Sequence, residues 1–179
     1  MSKRIIGAVT ISMALTVLLG CSPTQERGPD PAGFTSPEGI PVAADALPEV
    51  IVAGQTLYVP AYSHIFSRGA RLTFDLTVTL TIRNTDRQRE IIVTRVDYHD
   101  MNGRRVREYL DSPIRLGALA TTDFVIEEDD RTGGSAPSFI VEWIADGPVS
   151  DPIIHSVMIG TMSQQGISFL GEGVVLESR

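Results

Sequence analysis

Apolar and polar residues alternate strictly along residues 72–82 of this chain. Leucine, phenylalanine, valine and isoleucine fill the even positions, and threonine fills all but one of the odd positions. Successive side chains of a β-strand point to opposite faces of the sheet, so this period of two predicts one long strand with one face on the core. Residues 84–87, with the sequence Asn-Thr-Asp-Arg, are typical of a turn and predict the end of the strand.

Short apolar segments separated by turn residues continue through the rest of the chain. Two extended segments flank Met101-Asn102-Gly103, and Asn-Gly between such segments predicts a tight hairpin because both residues tolerate positive φ angles. Residues 117–120 predict a crossover between two further strands, and residues 139–144, apolar on nearly both faces, predict an inner strand. Together these segments predict an all-β fold, an immunoglobulin-like β-sandwich of about seven to nine mostly antiparallel strands without a disulfide.

The N-terminal residues have the order of a bacterial lipoprotein signal. Lys3 and Arg4 precede a largely apolar stretch of 15 residues, 5–19, and the small Gly20 precedes Cys21, the one cysteine of the chain. A membrane-spanning helix needs about 20 residues, so the stretch is typical of a signal peptide that is removed, with Cys21 taking the lipid. The alternative is a plain secretory signal beside an incidental cysteine.

Cleavage before Cys21 divides the chain into three predicted parts. Residues 1–20 form the signal peptide, residues 21–55 form a lipidated tether rich in proline and glycine, and residues 56–179 form the β-sandwich domain. Ser22 occupies the position where an aspartate would signal retention in the inner membrane. We therefore expect a cell-envelope protein, anchored in the lipid membrane through acylated Cys21, at the outer membrane and facing the periplasm.

The net charge of the chain disfavours some classes of binding partner. Without residues 1–20 the chain has 13 arginines, no lysine and 22 acidic residues, which gives a net charge of −9. Such a surface is poorly matched to nucleic-acid phosphates, and it disfavours adhesion to anionic lipid. With Cys21 acylated no thiol remains, which excludes disulfides, cysteine nucleophiles and thiolate metal sites. We expect no nucleic-acid partner and no cofactor.

Two groups of residues are candidates for chemistry. The acidic run 127–130 ends in Asp129 and Asp130, which could bind calcium, although a solvated loop is the simpler interpretation. His64 and His99, with this loop, could serve a metal-dependent or hydrolytic envelope enzyme. No serine lies in a strained nucleophile turn, which favours a structural or surface role for His64. For His99 the simpler interpretation is a solvated strand end beside a turn. We therefore assign no catalytic residue and no metal site.

A polar segment between two apolar strands is the candidate recognition loop. Ser163, Gln164 and Gln165 carry several hydrogen-bonding groups, and binding residues often lie on loops held by a rigid scaffold. An ordinary turn is the alternative. The favoured function is a lipid-anchored envelope protein that acts as a non-catalytic binding or interaction module, displayed on a tether, with an envelope protein as its partner.

Seven blocks of the sequence resemble a known family. They are 59–65 (VPAYSHI), 80–86 (LTIRNTD), 124–130 (FVIEEDD), 133–135 (GGS), 139–143 (FIVEW), 157–161 (VMIGT) and 164–169 (QQGISF). Together they are similar to the bacterial family called domain of unknown function 3124, over most of the chain from residue 57 onward. The resemblance implies a small secreted or lipid-anchored domain, and it implies no activity, ligand or catalytic residue.

Overall fold

The computed structural model describes residues 39–161 and 166–179. Its strands are β1 (Ile40–Pro41), β2 (Ala53–Pro60), β3 (His64–Ser67), β4 (Leu72–Asp75), β5 (Thr77–Arg83), β6 (Ile91–His99), β7 (Arg105–Glu108), β8 (Ile114–Leu116), β9 (Thr121–Ile126), β10 (Ser138–Ala145), β11 (Ile153–Gly160), β12 (Ile167–Glu172) and β13 (Val174–Ser178). A short 3₁₀ helix spans Ala44–Ala46. In these ranges no helix has the length and apolar character needed to cross a membrane.

The strands pair antiparallel in two main sheets. The large sheet has seven strands in the order β1-β8-β6-β10-β2-β13, with β7 pairing with β6 beside this path. The small sheet has four, in the order β12-β11-β5-β9, and β3 and β4 form a separate two-stranded ribbon. The predicted all-β class is confirmed, and the sheets have a sandwich-like arrangement. The described ranges contain thirteen strands rather than seven to nine, because several strands are very short; the immunoglobulin-like form stays a prediction.

One hydrophobic core joins the inner faces of the two sheets. Its buried members from the central strands are Val78, Leu80 and Ile82 of β5 and Phe139, Val141 and Trp143 of β10. They occupy alternate positions, as the period of two in a half-buried strand requires. Burying each side chain of this size contributes about 1.5–3 kcal/mol to folding. Since β10 lies between β6 and β2, the predicted inner strand is confirmed.

The long strand predicted over residues 72–82 is interrupted at Leu76. The residues before it form β4 and pair with β3, whereas those after it form β5 and pair with β9 and β11. The backbone N–H of Leu76 donates to the carbonyl oxygen of Ser63 at 2.8 Å, outside either ladder. The residues of one alternating pattern are therefore divided between the two-stranded ribbon and the small sheet. The prediction of a continuous strand is wrong at Leu76.

The folded part of the chain begins before residue 56, where the predicted tether ends. Ile40 and Pro41 pair with β8, and the buried Val42 donates its N–H to the carbonyl oxygen of Pro113 at 2.7 Å. The content of proline and glycine in this segment predicted an extended chain. Here the extended chain serves as an edge strand of the large sheet, a position that tolerates proline.

The predicted hairpin and the predicted crossover are both present. β6 and β7 pair antiparallel across the Asn-Gly turn, and the carboxylate of Asp100 accepts hydrogen bonds from the backbone N–H groups of Asn102 and Arg104, each at 2.9 Å. The Arg104 backbone N–H is the main cause that lowers the pKa of Asp100. Residues 117–120 carry the chain from β8 in the large sheet to β9 in the small sheet.

Candidate functional site

Strand β13 forms one edge of the large sheet. One side of it pairs with β2, and among the described residues no strand pairs with the other side. All five of its residues are exposed, including the apolar Val174 (58% exposed), Val175 and Leu176 (56% exposed). A β-bulge between Val175 and Glu177 leaves Leu176 without a partner in β2. The unpaired backbone groups of such an edge are a template for another strand.

A groove of about 300 Å³ lies beside β13. Its apolar walls include Leu57, Ile153, Leu170 and Val175. His155 and Glu172, which are cross-strand neighbours in β11 and β12, add polar groups to the lining. We call the edge of β13 and this groove the β13 surface. It combines main-chain hydrogen-bonding capacity with a place for apolar side chains.

Gly173 makes the corner that positions the β13 surface. β12 ends at Glu172 in the small sheet, and β13 begins at Val174 in the large sheet. The N–H of Gly173 donates to the carbonyl oxygen of Ile154 at 3.0 Å, and a Cβ at this position would lie 2.7 Å from the same oxygen. The two sheets approach each other so closely here that the corner requires a residue without a side chain.

The predicted recognition loop lies outside the described residues. Ser163, Gln164 and Gln165 belong to the segment that joins β11 to β12, the strand that leads into β13. Cys21 also lies outside the described residues. The recognition loop and the lipid attachment therefore stay predictions.

His64 and Ser63 contact each other at the start of β3. Nδ1 of His64 lies 3.0 Å from Oγ of Ser63, and this buried hydroxyl donates to the carbonyl oxygen of Gly134 at 2.6 Å. Because the hydroxyl hydrogen is bonded to a carbonyl oxygen, the histidine is not placed to remove it as a general base would. Across the ribbon His64 is opposite Asp75, whose carboxylate pairs with the guanidinium of Arg131.

His99 lies in the large sheet, on β6, and its cross-strand neighbours are Ser138 and Arg105. Asp129 is exposed and lines a shallow depression together with Asp75 and other acidic side chains. Within residues 39–161 and 166–179, no three His, Cys, Asp or Glu side chains are grouped in a way that could hold a metal ion. The structure therefore does not bring His64, His99 and the acidic loop together in one metal-binding group within these ranges.

Asp130 connects the acidic loop 127–130 to Arg107, which packs on two tyrosine rings. Its carboxylate accepts hydrogen bonds from Nη2 of Arg107 at 2.6 Å and from the hydroxyl and backbone N–H of Thr132 at 2.6 and 3.0 Å. The Arg107 guanidinium also lies over the rings of Tyr98 and Tyr109, 5.8 and 5.5 Å from their centroids. Burial alone would raise the pKa of Asp130, but the hydrogen bonds from Thr132 and Arg107 outweigh it and lower the pKa.

Replacing Asp130 by asparagine is expected to lower the free energy of unfolding at pH 7 by about 1 kcal/mol, a modest value because Arg107 is partly exposed. A carboxyl group whose pKa is lower in the folded state stabilises the fold above its unfolded pKa. This contribution begins to fall below the unfolded pKa of about 4 and is lost as the pH falls through the lower folded pKa, so the deficit of Asp130→Asn should be smaller at pH 3 than at pH 7. Urea unfolding at pH 7 and pH 3 measures both values.

Asp129→Asn is the matched control for this change, because Asp129 is an exposed neighbour in the same loop. It should alter stability at neither pH. A deficit of Asp130→Asn that is equal at pH 7 and pH 3 would show that the charge of Asp130 does not fasten the loop.

Comparison with known proteins assigns this all-β domain to a family. The family model described as "Protein of unknown function (DUF3124)" matches residues 54–176, which is more than half of the chain, and the chain belongs to this family. The match confirms the resemblance seen in the sequence blocks. No curated protein matches the sequence. The crystal structure of Thermotoga maritima 1070 is similar over 67% of this chain and 92% of that chain, with 11% identity and a TM-score of 0.40, a likeness too low to carry an argument.

Proposed function

We propose that this protein is a lipid-anchored envelope protein, a non-catalytic interaction module that binds an extended segment of another envelope protein at the β13 surface. The observation that carries the proposal is the exposed apolar edge of β13 beside a groove with apolar and polar walls. Proteins usually protect sheet edges with charges, prolines or a covering segment, because a bare edge recruits other strands. β13 has three consecutive apolar residues and one charged residue, Glu177, so its edge is suited to a partner.

A strand added to β13 would bind in two ways. Its backbone N–H and C=O groups would continue the ladder of the large sheet, which gives affinity that depends little on sequence. Side chains alternate between the two faces of a strand, so every second side chain of the partner would face the groove lined by Leu57, Ile153 and Leu170. The proposed partner is therefore an extended segment with apolar residues at alternate positions.

The anchor and the tether would display this surface at the membrane. Acylated Cys21 would hold the protein to the outer membrane, facing the periplasm, and the proline-rich residues that follow would hold the domain tens of ångströms from the bilayer. The net charge of −9 after removal of residues 1–20 disfavours contact with anionic lipid, so the domain would face its partner rather than the membrane.

Crosslinking in intact cells tests the partner. A photoreactive amino acid at Val174 of the full lipidated chain should give one reproducible adduct with an envelope protein, whereas the same group at Met101, exposed on the β6–β7 turn, should not. Leu176→Lys places a charge on the edge and should reduce the Val174 adduct at least about fivefold. Met101→Lys is the control and should leave it unchanged. Equal adducts from both positions, or an adduct that persists in Leu176→Lys, would refute edge binding.

Lipid attachment has a separate readout in the same cells. Mass spectrometry of the wild-type protein should show Cys21 as the first residue, carrying acyl chains, and Ser22→Ala should be lipidated normally. Cys21→Ala should carry no lipid and should keep residues 1–20. Cleavage elsewhere with an unmodified Cys21 would identify a plain secretory signal and refute the anchor, while the crosslinking result would still decide the partner.

A further inference from the structure

A second concave surface, distinct from the β13 surface, has a volume of about 470 Å³. It lies where β9, an edge of the small sheet, approaches the segment between β7 and β8 of the large sheet. Its walls include the apolar Tyr109, Leu110, Ile114 and Phe124 and the acidic Asp111 and Asp123. Small-molecule sites usually have volumes of roughly 300–1,000 Å³ and combine apolar walls with a few polar groups, as this cleft does.

Neighbouring residues hold the aromatic wall of the cleft in place. The rings of Tyr109 and Phe124 pack edge to face with their centroids 5.6 Å apart. The Tyr109 hydroxyl accepts a hydrogen bond from Nη1 of Arg107 at 3.0 Å and donates to the carbonyl oxygen of Val125 at 3.1 Å. Burial raises the pKa of Tyr109, so its hydroxyl stays neutral. A wall that is already ordered loses little conformational entropy when a ligand binds.

The two acidic groups of the cleft differ in burial, because Asp111 is exposed to solvent whereas Asp123 is partly buried. Oδ1 of Asp123 is inaccessible to solvent and has no hydrogen-bond partner in the part of the chain that the structure describes. In the same part of the chain, neither Asp111 nor Asp123 forms a salt bridge, and no Arg, Lys or His lines the cleft. A carboxylate that is removed from water without a partner carries a free-energy cost, which a bound cation would offset.

We propose that this cleft binds a small cationic amphiphile. An ammonium group would donate hydrogen bonds to Asp111 and Asp123, and an apolar tail would pack against Tyr109, Leu110 and Phe124. Both carboxylates would repel an anion, and a neutral ligand would leave the partly buried Asp123 without a counter-charge. Two carboxylates are fewer than the oxygen ligands that a calcium ion takes, which favours an organic cation. The inference goes beyond the proposed function and uses a different surface. Ligand binding in this cleft and strand binding at the β13 surface can therefore be refuted independently.

Calorimetric titration of the full lipidated protein in a nonionic detergent tests the inference. Hexylamine, hexanol and hexanoate share one tail and differ in head-group charge, and titrations into detergent alone correct for partition. Protonated hexylamine should bind at least about tenfold tighter than hexanol, because it makes charge-assisted hydrogen bonds. Hexanoate should show no binding. Butylamine should bind about tenfold more weakly than hexylamine, because its shorter tail buries less apolar surface.

Variants of the acidic groups locate the binding. Asp123→Asn and Asp111→Asn keep the shape of the side chain and remove its charge, and each should weaken hexylamine binding about tenfold. Asp146→Asn, at an acidic residue that does not line the cleft, is the control and should bind as the wild type does. Fluorescence of Trp143, the one tryptophan, checks the fold of each variant. If Asp123→Asn unfolds, Asp111→Asn decides in the same way.

Two results would overturn the inference. Equal affinity for hexylamine and hexanol would show that the cleft does not recognise the cationic head group. Equal loss of affinity in Asp123→Asn and Asp146→Asn would show that hexylamine binding depends only on the overall negative charge of the protein and not on the cleft.

Discussion

Replacing Asn84 by aspartate is expected to lower the free energy of unfolding by about 4 kcal/mol at pH 7. Asn84 is 2% exposed, and its Nδ2 donates to the carbonyl oxygens of Arg89, Leu116 and Gly117 at 2.8, 3.2 and 2.9 Å. Its Oδ1 accepts the backbone N–H of Asp86 at 2.9 Å. Aspartate has the same shape and no donor, so three carbonyl oxygens would lose their partner and face a buried carboxylate.

Urea unfolding followed by the fluorescence of Trp143 measures this loss, because Trp143 is the one tryptophan and is buried in the core. Asn102→Asp, at the exposed hairpin turn, is the control and should change stability by about 0.5 kcal/mol or less. A carboxyl that faces carbonyl oxygens has a raised folded pKa, so the stability of Asn84→Asp should recover as the pH falls and the group is protonated. A loss as small as that of Asn102→Asp would show that the three carbonyl oxygens do not depend on Asn84.

The elements that could be predicted from the sequence are those with a local signal. Alternation along residues 77–82, the Asn-Gly dipeptide and the apolar run 139–144 each involve residues close together in the chain, and the structure has β5, the β6–β7 hairpin and β10 at these places. The break at Leu76 could not be predicted, because the alternating pattern continues through it. Its cause is a hydrogen bond to Ser63, which belongs to another segment.

The candidate surfaces could not be predicted because they depend on contacts between distant segments. An apolar run such as Val174–Leu176 predicts a strand but not its place at a sheet edge, which follows from the pairing order. Tyr109 and Phe124 line one cleft only because the crossover brings their segments together. The prediction that Asn84 ends a strand in a turn is confirmed. The sequence could not predict that its side chain donates hydrogen bonds to the carbonyl oxygens of Leu116 and Gly117, which are distant in the chain.

Close contact between the two sheets also depends on a single small residue, Gly171 of β12. The hydroxyl of Ser156 donates to the carbonyl oxygen of Pro60 at 2.5 Å, so this bond joins β11 of the small sheet to the end of β2 in the large sheet. A Cβ on Gly171 would lie 2.6 Å from both of these oxygen atoms. The carbonyl of Pro60 is part of the backbone and cannot rotate away as a side chain could.

Replacing Gly171 by alanine is therefore expected to lower the free energy of unfolding by about 3 kcal/mol, because the methyl group separates the sheets and breaks the bond from Ser156 to Pro60. Gly166→Ala is the control, since the nearest atom to its Cβ among the described residues is the carbonyl oxygen of Gly160, at an ordinary 3.7 Å. Urea unfolding measures both changes. β12 leads directly into β13, so Gly171→Ala should also reduce the Val174 adduct, whereas Gly166→Ala should not. An unchanged adduct in a clearly destabilised Gly171→Ala would show that the β13 surface does not depend on the closure of the sheets.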